Sequence, residues 1–218
     1  MKILKTRLLG IISLAAFIFT GNVNAQADRQ NNSRFGIKGG LNVSNLIAND
    51  VNNNSGKLGF NGGLFLRIAL TENISFQPEL LYSMKGSELQ YHNDFVNGTA
   101  RFSLNYIDIP ILAVINLSRR VNVHGGLYVA SLTNVHIKNE ADIDAFDFEK
   151  ELNKDDFEPI DYGLVIGLGG DFDKVSLGIR YEYGLKTVGK EQTFSGQSYR
   201  FPDARNSTFQ FYLGISIL

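Results

Sequence analysis

Three histidines and a scatter of carboxylates are the residues of this chain whose types and spacing could do chemistry. His92 stands beside Asp94 in sequence, and Ser131 is close to His136. A histidine near a serine or an aspartate is the minimum kit for hydrolysis or acyl transfer. Neither pair has a defined spacing, and no nucleophile elbow, phosphate loop or zinc spacing accompanies them. His124 lies inside an alternating stretch instead. Asp142, Asp144, Asp147 and Glu149 in "NEADIDAFDFEKELNKDDFE" could offer oxygens to Ca²⁺. That run lacks the glycine an EF-hand loop needs after its first ligands, and reads as a solvated acidic loop with a helical turn. With no cysteine there is no thiolate site and no disulfide. The reading is therefore no catalytic site, no metal and no cofactor. The other charged set is Lys38, Arg67, Glu79, Lys85, Asp108, Arg180, Glu182 and Lys186. Each sits among apolar neighbours, and opposite charges so placed pair with one another.

What positions these charges is a period of two. In "VSLGIRYEYGLK" (175–186), Val175, Leu177, Ile179, Tyr181, Tyr183 and Leu185 alternate with polar residues and glycines. This is a β-strand with one apolar and one polar face. Eight such runs are predicted, at 34–44, 57–69, 74–86, 102–115, 121–131, 159–172, 175–186 and 206–218. A tilted membrane-crossing strand needs ~9–11 residues, whereas ordinary strands average about five or six. The connections alternate long and short. "NLIANDVNNNSG", "SELQYHNDFVNGTAR", 132–158 and 187–205 are long; "LTEN", "NLSRR" and "DK" are short. Outer-membrane barrels sort their connections this way, with short periplasmic turns and long extracellular loops. The fold class is therefore all-β, an eight-stranded antiparallel up-and-down transmembrane barrel.

That fold decides which face is wet. An arginine on the lipid face at mid-membrane costs about 2–4 kcal/mol. Arg180 must then face the lumen, and the same sorting sends Lys38, Arg67, Glu79, Lys85, Asp108, Glu182 and Lys186 inward. An eight-stranded barrel is just wide enough for side chains to fill it. The inward set has both signs, so it predicts a charge-paired plug and not an open pore. Gly36, Gly40, Gly63, Gly163, Gly167 and Gly178 are read as leaving room for those long side chains. Pro78 and Pro110 interrupt strands three and four, where each removes a ladder bond, and a shared bulge is expected there. The exposed aromatics of the long loops, Tyr91, Phe95, Phe146, Phe148, Phe194 and Tyr199, are the recognition candidates, because loops on a rigid scaffold carry binding.

The chain opens with a basic stretch, an apolar run from Leu8 to Phe19 and the small-residue site Val23-Asn24-Ala25. This reads as a secretory signal peptide, 1–25, cleaved near Ala25. A polar tail, 26–33, follows, and then the barrel domain, 34–218. A net charge of −1 shows no bulk preference for nucleic acid.

"FGIKGGLNVSNL", "SFQPELLYSMKG", "YIDIPIL" and "LGIRYEYGL" resemble the outer-membrane β-barrel proteins of the Bacteroidota, the porin-like or PorT-like proteins. The resemblance spans the whole barrel region and its motifs are those of the scaffold. It implies that the strand prolines belong to the family pattern. It also implies recognition by the barrel-assembly machinery, usually through a terminal aromatic, from which Leu218 departs. One branch of the family is linked to type IX secretion and gliding. The function expected is a non-enzymatic outer-membrane barrel whose surface loops serve the envelope or a protein partner, with outer-membrane lipid around it. The alternatives are a narrow porin for small solutes, an accessory barrel of type IX secretion or gliding, an enzyme at the outer rim and a soluble lipocalin-like carrier.

Overall fold

The computed structural model describes residues 33–48, 54–92, 97–141, 148–194, 197–200 and 203–217. The expected signal peptide and residues 26–32 of the tail lie outside them. Eight long strands form the wall: β1 (Arg34–Ala48), β2 (Asn54–Ala69), β3 (Ile74–His92), β4 (Asn97–Asn116), β5 (Val121–Ala141), β7 (Ile160–Phe172), β8 (Val175–Thr187) and β11 (Ala204–Ser216). Three short strands stand between them: β6 (Phe148–Glu151), β9 (Glu191–Phe194) and β10 (Gln197–Arg200). All neighbouring wall strands are antiparallel, and β1 pairs with β11 from Gly36–Ser216 to Ala48–Ala204. The β4–β5 pairing completes the ring, while β6 adds only to the tip of β5. The protein is thus an eight-stranded up-and-down barrel.

The turns at one end are tight. Leu70 donates to the Ile74 carbonyl and Leu117 to the Val121 carbonyl, each at 2.9 Å. Thr71 Oγ1 and Ser118 Oγ accept from the amides of Ile74 and Val121. In the shortest turn, Asp173 takes a positive φ of 54°, which aspartate tolerates better than most residues.

Outside, the wall is apolar. Ile37, Leu64, Ile111, Ile179 and Phe211 each expose 41–51 % of their surface. A ring of such side chains is stable only against hydrocarbon. Phe60 with Tyr82, and Tyr181 with Phe209, form aromatic pairs toward the long-loop end, at centroid distances of 6.0 and 4.7 Å. Interfacial girdles of membrane barrels have this composition.

The long-loop end departs from the sequence reading. Most of "SELQYHNDFVNGTAR" is strand: β3 and β4 stay paired from Glu88–Arg101 up to His92–Asn97, and residues 93–96 between them lie outside the described residues. Strand five continues ten residues further than expected, to Ala141. It does so through a register shift at Asn105–Tyr106 that leaves Thr133 as the extra residue. Thr133 Oγ1 bonds the Asn105 carbonyl at 2.8 Å, which anchors the bulge. Below Thr133 the even residues of β5 are buried, and above it Val135 and Asn139 are. The bulge therefore keeps apolar residues on the axis side as the sheet leaves the membrane. Among the described residues the acidic third loop holds β6 and a 3-10 turn, Lys154–Asp156, and the fourth holds the β9–β10 hairpin.

Two further expectations are corrected. Pro78 lies opposite Ile111, Pro110 lies opposite Tyr128, and the β3–β4 register does not shift around them. Each proline drops its ladder bond without needing an inserted residue, so the shared bulge does not form. At Gly63, a Cβ would sit 2.0 Å from the Leu80 carbonyl oxygen, so neighbouring backbone and not a long side chain excludes it. Gly167 does fit the room argument: a Cβ there would lie 2.6 Å from Arg180 Cβ.

Candidate functional site: the lumenal charge plug

Inward-facing residues from all eight wall strands meet in the lumen in three stacked groups. Nearest the tight turns, Arg67 on β2 pairs with Asp171 on β7 at 2.8 Å and donates to Gln77 on β3 at 2.6 Å. Asn122 on β5 donates to the same Asp171 at 2.7 Å.

The middle group centres on Glu79. Lys38 on β1 reaches it at 2.7 Å and Arg180 on β8 at 2.8 Å, with Gln77 donating at 2.7 Å. Lys38 Nζ also stands 3.7 Å from the centroid of the Tyr212 ring, a cation–π contact. Arg180 donates through Nε to Gln210 on β11. His124 faces this group, edge-on to Tyr212.

In the upper group Lys85 on β3 is shared by Asp108 on β4, at 3.0 Å, and Glu182 on β8, at 2.9 Å. Its ammonium lies 4.2 Å from the centroid of Tyr128. Asp161 on β7 accepts from Tyr128 Oη at 2.9 Å and Asn206 Nδ2 at 2.8 Å. Arg180 Nε to Glu182, at 3.5 Å, links the upper and middle groups. Lys38, Glu79, Lys85, Asp108, Arg180 and Glu182 are each at most 5 % exposed. Charges this deep need partners, because leaving one alone costs several kcal/mol.

Above the charges lies an apolar cap. Phe157, from the connection between β6 and β7, packs with Leu46, Leu104, Leu132, Val135 and Val188, and its ring stands 5.6 Å from Phe102. The main chain holds this strap down: Phe157 bridges to Gly189, and Glu158 donates to the Val188 carbonyl at 2.9 Å.

Of the eight charged residues read from the sequence, Lys186 stands apart. It pairs with Glu158 at 2.8 Å at the rim, with 31 % of its side chain exposed. It keeps the inward parity of β8 but lies beyond the plug, where the β8–β11 register shifts between Arg205 and Ser207. Asp161 and Asp171 escaped the sequence reading because they lie at strand ends, although they keep the inward parity of β7. The tyrosines at 106, 128 and 212 escaped it because aromatic residues on strands read as lipid-facing. Tyr91, Phe148, Phe194 and Tyr199 belong to β3, β6, β9 and β10, not to loops; Phe95 and Phe146 lie outside the described residues.

The rim histidines assemble no catalytic group among the described residues. Ser131 is exposed opposite Ile107, and the neighbour of His136 Nε2 is the Asn134 amide at 3.0 Å. Asp94, Asp142, Asp144 and Asp147 lie outside the described residues, and Glu149 is exposed. Among the described residues no group of three acidic or histidine side chains is placed to hold a metal ion.

An apolar exterior, a polar and charged interior and a closed antiparallel wall define an integral β-barrel of the outer membrane. The chain belongs to the outer membrane protein beta-barrel domain family, whose profile matches residues 24–188. No curated protein matches it. Among solved structures, the attachment invasion locus protein Ail of Yersinia pestis is 13 % identical, covering 85 % of this chain and 99 % of its own, with a TM-score of 0.47. Neisserial surface protein A is 12 % identical, over 84 % and 97 %, with a TM-score of 0.46.

Proposed function

We propose that this protein is a non-enzymatic, non-conducting outer-membrane barrel that carries a rigid sheet on its outer side for a protein partner. The observation behind this reading is the double closure of the lumen. Six charged side chains at most 5 % exposed fill its middle, and Phe157 packs over them. A solute would have to separate ion pairs whose desolvated partners have nothing else to meet. The porin-like or PorT-like character, and export through a signal peptide cleaved near Ala25, belong to the same reading and rest on the motifs quoted above.

The partner-facing element is the extension of β3, β4 and β5 with β6. Glu88, Arg101, Lys138 and Glu149 stand opposite one another across these four strands. Arg101 bonds both Glu88 and Glu140, so the row is ordered. Tyr91, Phe95, Phe146, Phe148, Phe194 and Tyr199 stay the aromatic recognition candidates. The test is planar-bilayer recording of the refolded, detergent-purified mature chain. No discrete conductance steps are expected. Reproducible steps that Phe157→Ala enlarges would replace this reading with the narrow porin.

A further inference from the structure

The charges of the plug are unevenly spread. Among the described residues, five carboxylates face the lumen: Glu79, Asp108, Asp161, Asp171 and Glu182. Lys38, Arg67, Lys85 and Arg180 are buried with them, and Arg34, part exposed, stands 3.7 Å from Asp171 at the tight-turn end; His124 is counted neutral. Lys57, also buried, lies at the upper rim with Arg101 and Glu88 as its charged neighbours, away from the plug. The two arginines beside Asp171 leave the upper and middle groups short: Glu79, Asp108, Asp161 and Glu182 share Lys38, Lys85 and Arg180 there.

Unpaired oxygens gather at the same level. Asp108 Oδ1, fully buried, has no hydrogen-bond partner. Asn206 commits its amide nitrogen to Asp161 and Tyr106, which leaves Oδ1 unpartnered. Thr208 Oγ1 is unpartnered too, 1 % exposed, on the residue directly opposite Glu182. Buried polar atoms are seldom left so. A local shortage of positive charge and unsatisfied acceptors are the two halves of a cation site.

We propose that the upper lumen binds one sodium ion against Asp108. Among the described residues the carboxylates are not grouped for a divalent metal ion, which takes several of them. Lys85 from β3 pairs with Asp108 directly, and Tyr106 from β4 and Arg180 and Glu182 from β8 are the other ionisable groups in electrostatic reach of it.

The experiment measures the urea midpoint of the refolded mature chain in sodium chloride and in choline chloride at matched ionic strength. A midpoint that climbs with sodium, and stops climbing in Asp108→Asn, supports a bound sodium ion. A midpoint indifferent to sodium, with an infrared band of a protonated carboxyl group that Asp108→Asn removes, would overturn the proposal, because a neutral Asp108 needs no cation. Thr208→Val keeps the charge and loses one oxygen, so it should weaken the sodium dependence even if Asp108→Asn does not fold. A midpoint indifferent to sodium without such a band would overturn it as well.

Discussion

At the scale of single residues, the two kinds of ion pair should separate cleanly. Arg180 is 1 % exposed and touches Glu79, Glu182 and Gln210, so Arg180→Met takes one of two cationic partners from each of two buried carboxylates. It should cost about 3–5 kcal/mol in urea unfolding followed by gel mobility. Lys186→Met, at the half-open rim, should cost about 0–1 kcal/mol in the same assay. The exposed charges of the projecting sheet predict a pH effect. Hydrogen bonds from Lys138 and then Arg101 hold the Glu140 carboxyl below its ordinary 4.5. Its contribution is therefore complete above the ordinary value and is lost as pH falls through the lowered one. Amide exchange in Thr99–Arg101 and Lys138–Glu140 should accelerate in acid beyond the intrinsic rate, while the membrane-embedded wall stays protected. Glu140→Gln should flatten that dependence. Part of this scale is legible in sequence. The position of Arg180 within its strand says which face is inside, because lipid forbids the other. The choice of Glu79 by both Lys38 and Arg180 is not legible, since it depends on how β1, β3 and β8 curve toward one axis.

At the scale of elements, the tight turns and the alternation between them were readable because each is a local rule. The projecting sheet was not. "SELQYHNDFVNGTAR" is polar and turn-rich, yet its described residues, 87–92 and 97–101, are strand, because pairing with neighbours outweighs composition. The Thr133 bulge hid the upper half of β5, since an inserted residue breaks the period on which the reading depends. The cap was hidden too, because Leu46 of β1 meets Phe157 and Val188 only after two separate connections fold over it. Phe157→Ala should therefore loosen the strap alone. Limited proteolysis between Glu149 and Glu158 should speed up several-fold, while the unboiled protein still runs as a compact band on a detergent gel.

For the whole molecule, the belt is the part most firmly tied to the membrane. Ile179 lies in a row with Leu168 and Phe211, with polar residues on the opposite face. Ile179→Arg should lower stability by about 2–4 kcal/mol in lipid vesicles. The same change at Lys138, already charged and outside the belt, should leave the urea midpoint within experimental scatter.

The β1–β11 seam has a consequence for how the protein is made. Gly36 meets Ser216, so the first wall strand finds its second neighbour only when the last has emerged. Contacts this distant along the chain form slowly. Until then β1 presents an open row of amides and carbonyls, an invitation to any stray strand. Closure of this barrel must be post-translational, and a chain halted before Ala204 would keep two long sticky edges, β1 and β8. Such a fragment should need a holding chaperone to stay out of aggregates, a dependence the closed ring escapes.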